Sequence, residues 1–283
     1  MDKVTAPSVR AAKGGEKIRM ITAYDAPSAR VADRAGADII LVGDSLANVV
    51  LGYESTPQVT MDEMIHHTAA VTRTVPRALV VGDMPWLSYH ITPEDSVRNA
   101  GRFVQEGGVG AVKLEGGAKR VETIRAVMDA EIPVMGHIGL TPQSVHAMGG
   151  YNVQGRGLEA AHSLMEDAAA LAEAGVFSIV LEGVPNVVAA MITEEIPVPT
   201  IGIGAGSDCD GQVLVYHDVL GLHDGHLPKF VRKYAELADT AVDALERFFA
   251  DIQSGEFPSD DETYHLSDEV AAALREGRKP SGA

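Results

Sequence analysis

Three consecutive apolar runs of this chain end in carboxylates: Asp44 after Ile39-Ile40-Leu41-Val42 and Gly43, Asp83 after Ala78–Gly82, and Glu115 after Ala111–Leu114. Unbroken branched aliphatic residues predict strands buried on both faces. A carboxylate at the tip of such a strand is costly unless a cation or a proton meets it, and carboxylates at neighbouring tips also repel one another. Hard oxygen donors, with no cysteine among them and few histidines, select Mg²⁺ or a similar ion over Zn²⁺. Magnesium takes one or two carboxylates directly and keeps several waters. Asp44 and Asp83 are therefore expected as direct ligands, with Glu115 behind them.

Ionisable groups recur at nearly every other strand end. Lys113 and Glu115 are two apart on one run, so alternation puts both on the same face, roughly 6–7 Å apart. Lys113 can grip an anionic substrate group, or form a structural ion pair with the carboxylates. Ser45 follows Asp44; its hydroxyl can donate to a bound carboxylate, but its spacing favours a cap on the next turn. His137 in "MGHIGLTPQ" can bond a substrate or fill space. Glu182 in "VLEGVP" can serve as a general base or bond to loop backbone. The glycines of "GIGAGSDCDGQ" match neither dinucleotide nor P-loop spacing; a tight turn and close approach of a ligand explain them equally. His66-His67 reads as a solvated pair on a surface helix.

These groups need a scaffold that gathers strand ends. Eight short apolar runs read as strands: Ile18–Tyr24, Asp38–Gly43, Ala78–Gly82, Ala111–Leu114, Val134–Gly136, Ser178–Leu181, Thr200–Ile203 and Val213–Tyr216. Helical spacing fills most of the gaps, at Ala26–Ala35, Met61–Thr74, Pro93–Glu106, Ala118–Ala130, Leu158–Ala174 and Val187–Glu194. Thr60 with Glu63 forms a capping-box pattern, and Thr92 precedes a proline at the first helical position. Alternating strands and helices imply parallel pairing, and eight units in 283 residues point to a (β/α)8 TIM barrel of a single domain. An open doubly wound sheet would carry a glycine-rich turn after its first strand, and "TAYDAPSA" is not one. The first residues predict an extra helix or arm. The barrel is expected over about residues 18–250, including a long helix at Phe230–Phe249. An irregular segment and a short capped helix are expected over about 251–283.

Composition narrows the partners. Forty acidic against 23 basic residues give a net charge of −17, which argues against nucleic acid and anionic membranes. It is compatible with an ordinary acidic enzyme or with adaptation to high salt, where screening shortens repulsion between surface carboxylates. No apolar run is long enough to span a bilayer and no secretory signal is evident. The lone Cys209 excludes an intrachain disulfide and fits a cytoplasmic setting.

The segments "ITAYDAPSA", "ILVGDSLANVVLGYEST", "VVGDMPWLSY", "AVKLEGG", "VMGHIGLTPQS", "IVLEGVP" and "IGIGAGSDCDGQVLVYHDVLG", in this order, resemble the ketopantoate hydroxymethyltransferases (3-methyl-2-oxobutanoate hydroxymethyltransferases) from about Ile18 to His265. The resemblance implies a barrel enzyme that moves a one-carbon unit from 5,10-methylenetetrahydrofolate to 3-methyl-2-oxobutanoate, giving 2-dehydropantoate for pantothenate and coenzyme A. It implies one Mg²⁺ per subunit on Asp44 and Asp83, with Glu115 as the third metal-site carboxylate. It places Ser45 and Lys113, along with Asp44 and Asp83, at the keto acid and makes Glu182 the proton-abstracting base. It also implies a large homo-oligomer, often a decamer. Ala47 stands where glycine is common and Gly183 where cysteine is common; neither removes a proposed ligand. A rival is a Mg²⁺-dependent carbon–carbon lyase of the isocitrate lyase or phosphoenolpyruvate mutase type. Those enzymes commonly carry a reactive cysteine in a flexible loop, whereas Cys209 follows the seventh strand.

Overall fold

The computed structural model describes residues 2–150, 152–222, 225 and 227–277. The chain divides into two compact units, Met1–Ala235 and Glu236–Ala283.

The first unit holds eight strands: β1 (Ile18–Thr22), β2 (Ile39–Val42), β3 (Leu79–Asp83), β4 (Ala111–Glu115), β5 (Val134–Gly139), β6 (Ser178–Glu182), β7 (Thr200–Ile203) and β8 (Gly211–Leu214). They pair in chain order into a closed barrel, and β8 lies parallel to β1 with Ile18 opposite Gly211. The eighth strand therefore starts two residues before the apolar run that marked it. Val213–Tyr216 looked apolar throughout, but Tyr216 already opens a one-turn helix and its N–H donates to Thr22 Oγ1 at 2.8 Å.

Alternation splits the apolar residues into two layers. Inside the barrel lie Met20, Ile39, Leu41, Leu79, Val81, Met135, Val180 and Ile201. The opposite faces of the strands, including Ile40, Val42, Val80, Val112 and Leu181, pack against helix residues such as Met64, Phe103, Ile124 and Leu171. Two residues further along four of the strands, the interior positions turn polar: Asp83 after Val81, Lys113 and Glu115 after Ala111, His137 after Met135, and Glu182 after Val180. The same face that builds the core thus carries the ionisable groups to the C-terminal mouth.

The opposite end is closed by the N-terminal arm. Its helix, Ala6–Ala11, is capped by Thr5 and Ser8 and contributes Ala6 and Val9 to the interior cluster. Behind it Lys13 pairs with Asp210 at 2.9 Å, and Asp210 also accepts the N–H groups of Gly14 at 2.9 Å and Thr200 at 2.8 Å.

Helix starts follow their caps. Asp25 caps Ala26–Arg34, Thr60 and Glu63 form the capping box of Met61–Thr72, and Thr92 caps Pro93–Gln105. The expected helix over Ala118–Ala130 is a 3₁₀ turn, Ala118–Arg120, followed by an α-helix, Val121–Asp129. The Asp167 carboxylate takes the Ala118 N–H there at 2.6 Å.

The second unit contains helices Leu237–Ser254 and Asp268–Arg275. The long helix begins seven residues later than its apolar spacing indicated and runs across the expected boundary near residue 250. The segment before it is tied down otherwise: Phe230 packs where a Gly204 side chain would stand, and the Tyr234 N–H donates to Val219 O at 2.8 Å. No helix among the described residues is long and apolar enough to cross a membrane.

Candidate active site

Six of the residues singled out from sequence form one chain of contacts at the barrel mouth. The Asp44 N–H donates to Asp83 Oδ2 at 3.1 Å. Asp83 Oδ1 lies 2.7 Å from Lys113 Nζ, as the β3–β4 register that pairs Asp83 with Lys113 requires. Lys113 Nζ lies 3.2 Å from His137 Nδ1. That nitrogen is 3.4 Å from Glu115 Oε1, and His137 Nε2 is 3.3 Å from Glu182 Oε2. Asp44, Asp83, Lys113, Glu115 and His137 are all buried, while Glu182 keeps 15% of its side chain open. β6 stands opposite β2 in the ring of eight, so Glu182 faces the Asp44 side of the mouth.

Burial, with Asp83 and Glu115 close by, holds the Asp44 carboxyl well above the usual range. Burial also raises Asp83, although Lys113 opposes it. Burial works against the Lys113 charge, but the surrounding carboxylates outweigh it and keep the amine protonated. Burial and Lys113 likewise disfavour a charged His137; Glu115 and Glu182 prevail and push it up to about 9. Glu115 is held below the usual range: burial opposes its ionisation, and His137, Lys113 and the Gln143 N–H outweigh it.

The chemistry of this donor set fits a divalent cation. Ionised together, the four carboxyls would exceed the Lys113 and His137 cations by two charges, an excess that a divalent cation would cancel and that burial and mutual repulsion otherwise oppose at Asp44 and Asp83. Asp83 Oδ1 is buried and has no well-aligned hydrogen-bond donor. Among the described residues no three carboxylate, imidazole or thiolate side chains converge into a closed metal cage. An ion held by Asp44 and Asp83 would complete its shell with water and substrate, which is how Mg²⁺ usually binds. Glu115 is engaged elsewhere, with His137 and with the Gln143 N–H at 3.1 Å.

Ser45 departs from its expected cap. It precedes the one-turn helix Leu46–Val49 but makes no side-chain cap bond; its hydroxyl lies 2.8 Å from Tyr24 OH. It is thereby free of the turn and held at the mouth by a buried phenol. His67, read as solvated, is half-buried, and its Nδ1 lies 2.7 Å from Tyr24 O; His66 is exposed. Gly204 and Gly206 adopt positive φ, so a tight turn accounts for these two glycines of "GIGAG"; Gly202 lies in β7, where a Cβ would stand 3.0 Å from Cys209 Sγ. Cys209 is buried with its thiol pushed up by burial, unlike a reactive loop cysteine.

Two residues of the site escaped the sequence reading. Buried Gln143 donates from Nε2 to Asp44 Oδ2 and to Met84 O, both at 2.9 Å. Its Oε1 accepts from Tyr89 OH at 2.6 Å. Tyr89 OH in turn accepts the Glu115 N–H at 3.1 Å. Gln143 thus fixes the orientation of Asp44 and, through its own N–H, of Glu115.

The sequence profile described as ketopantoate hydroxymethyltransferase matches residues 3–260. A protein of Syntrophomonas wolfei named 3-methyl-2-oxobutanoate hydroxymethyltransferase is 59% identical over 262 residues, 93% of this chain and 95% of that protein. One of the same name from Moorella thermoacetica is 59% identical over 263 residues, covering 93% and 98%. Among solved structures, 2,3-dimethylmalate lyase, a member of the PEP mutase/isocitrate lyase superfamily, superposes with a TM-score of 0.57 at 19% identity, covering 98% of this chain and 97% of its own. That last likeness is one of fold.

Proposed function

The chain belongs to the ketopantoate hydroxymethyltransferase family, and we propose that it transfers a hydroxymethyl group from 5,10-methylenetetrahydrofolate to 3-methyl-2-oxobutanoate, giving 2-dehydropantoate for pantothenate and coenzyme A synthesis. The observation that carries this reading is the Asp44–Asp83–Lys113 cluster facing Glu182 across one barrel mouth. The rival lyase reading shares the barrel but has neither the family match nor a reactive cysteine in its favour.

Asp44 and Asp83 would hold Mg²⁺, which when bound polarises the keto group and makes the adjacent C3–H more acidic. Glu182 removes that proton; it is the carboxylate with solvent access, and His137 Nε2 lies 3.3 Å from it. The Lys113 ammonium holds the negative charge that the departing proton leaves on the substrate, and the paired Asp83 keeps the ammonium in place. Ser45, aimed by Tyr24, donates to the substrate carboxylate. Glu115 keeps His137 charged. The carbon nucleophile bonds to the folate's one-carbon unit, water supplies the hydroxyl oxygen as the two methylene–nitrogen bonds break, and tetrahydrofolate leaves with those nitrogens protonated, so no covalent enzyme intermediate is required. The reading extends to a homo-oligomer, often a decamer in the family, which light scattering on the purified protein would check.

The test is turnover of 3-methyl-2-oxobutanoate to 2-dehydropantoate. It is expected to need both methylenetetrahydrofolate and a divalent cation, and to stop with EDTA. Folded protein that gives no product with both present would overturn the reading.

A further inference from the structure

We propose that Lys119 and Arg120, folded back over Gly116 at the rim of the barrel mouth, form a subsite for the carboxylates of the γ-linked glutamates beyond the first in the tail of the folate donor. The inference rests on the folate reading above.

Gly116 immediately follows Glu115 and has a φ of 118°. A Cβ there would lie 2.8 Å from Arg120 Cγ and 3.3 Å from Lys119 Cε. The missing side chain leaves the space into which both cationic chains fold, one residue beyond the candidate active site. The Arg120 guanidinium sits over the Tyr89 ring, 5.5 Å from its centroid, and the His90 ring stacks on the same tyrosine at 4.2 Å.

These groups lack counter-charge. Among the described residues, neither Lys119 nor Arg120 forms an ion pair. Arg120 Nε and His90 Nδ1 are buried with no hydrogen-bond partner. His90 is held down to about 4, first by burial and then by Arg120 and Lys119, so the two cations and the imidazole share one electrostatic neighbourhood. The nearby acids are engaged: Asp167 caps the Ala118 N–H, and Glu115 faces His137 and Gln143. The aromatic face of Tyr89 offsets part of the Arg120 charge, but it gives Nε no acceptor and gives Lys119 nothing. In a chain of net charge −17, two unpaired cations side by side mark a place kept for an anion.

The ligand follows from position. The keto acid has one carboxylate, which belongs with the cluster inside the mouth. The folate presents its one-carbon unit inward, so its glutamyl end points outward, and a rim site meets that end. An arginine and a lysine together suit successive carboxylates better than one.

The experiment compares methylenetetrahydrofolate bearing one glutamate with the form bearing five. In the unaltered enzyme the longer tail is expected to lower KM. Arg120→Gln and Lys119→Gln are each expected to raise KM for the five-glutamate donor about tenfold and to erase its advantage. The KM for the keto acid is expected to hold. Lys119 is exposed, so its variant remains informative if Arg120→Gln folds poorly. Loss of equal size for both donors, no change in either variant, or a rise in keto acid KM alone would overturn the subsite and leave the folate reading standing. Absence of any folate-dependent transfer in the unaltered enzyme would remove the folate reading and the subsite with it.

Discussion

Gln143 Nε2 lies 2.9 Å from Asp44 Oδ2, joining residues 99 apart in sequence. The side chain that aims this carboxylate, proposed to hold the metal, therefore comes from the segment after β5, on a different stave from the carboxylate itself. Outer partners of this kind set ligand orientation, and their loss typically costs about 10- to 100-fold in metal affinity or activity. Gln143→Leu is expected to weaken Mg²⁺ binding in calorimetry by about that factor while the far-UV circular dichroism stays the same. Unchanged affinity would show that Asp44 holds its direction without help.

Asp44→Asn and Asp83→Asn should each weaken Mg²⁺ binding. They should act on stability in the opposite sense. Burial and like charges hold both carboxyls up, so their ionisation opposes folding at neutral pH. The metal-free Asp44→Asn protein is therefore expected to have the higher Tm near pH 7, with the gain fading in acid, where the native side chain is neutral too. A lower Tm would mean that the acidic cluster is compensated without an ion.

Glu182→Gln is expected to bind 3-methyl-2-oxobutanoate and to lose exchange of its C3 proton with D2O, followed by NMR. A positioned general base supplies about 10²- to 10⁴-fold, and turnover should fall within that range. Exchange at the native rate would assign the base elsewhere.

At the other end of the barrel, Asp210 accepts from Lys13, Gly14 and Thr200. Burial opposes its ionisation, but these donors prevail and hold its carboxyl below the usual range. A depressed carboxyl contributes stability above its unfolded pKa of about 3.9, and that stability is lost as pH falls through the lower folded value. Asp210→Asn should cost about 1–3 kcal/mol at pH 7. The difference from the unaltered protein should shrink below pH 4 in denaturant titrations. A pH-independent difference would refute the ionic part of this role.

The barrel was legible because most of its strands hold a short aliphatic run between turn signals, although β5 continues to Gly139, three residues past the run Val134–Gly136 that marked it. β8 was misplaced since Gly211 and Gln212 carry no such signal; its pairing with Ile18 is a long-range fact. The ionisable tips were legible for a related reason. A period of two puts Lys113 and Glu115 on the face that holds Ala111, and that face must point inward. Gln143 and Tyr89 gave no periodic signal. Both lie in loops, and their roles arise where loops from separate staves meet; "GLTPQS" held the glutamine without marking it. Ser45 shows the limit of local spacing: a turn offered it a capping position, and a phenol from β1's tip claimed the hydroxyl.

The arm that seals the barrel floor has a consequence for synthesis. Lys13 and Asp210 stand 197 residues apart in sequence, and β1 finds one of its two neighbours only in β8. A growing polypeptide leaving the ribosome must carry an unfinished sheet with two open edges until the eighth stave emerges. Such distant closure slows folding, and exposed edges invite pairing with other chains.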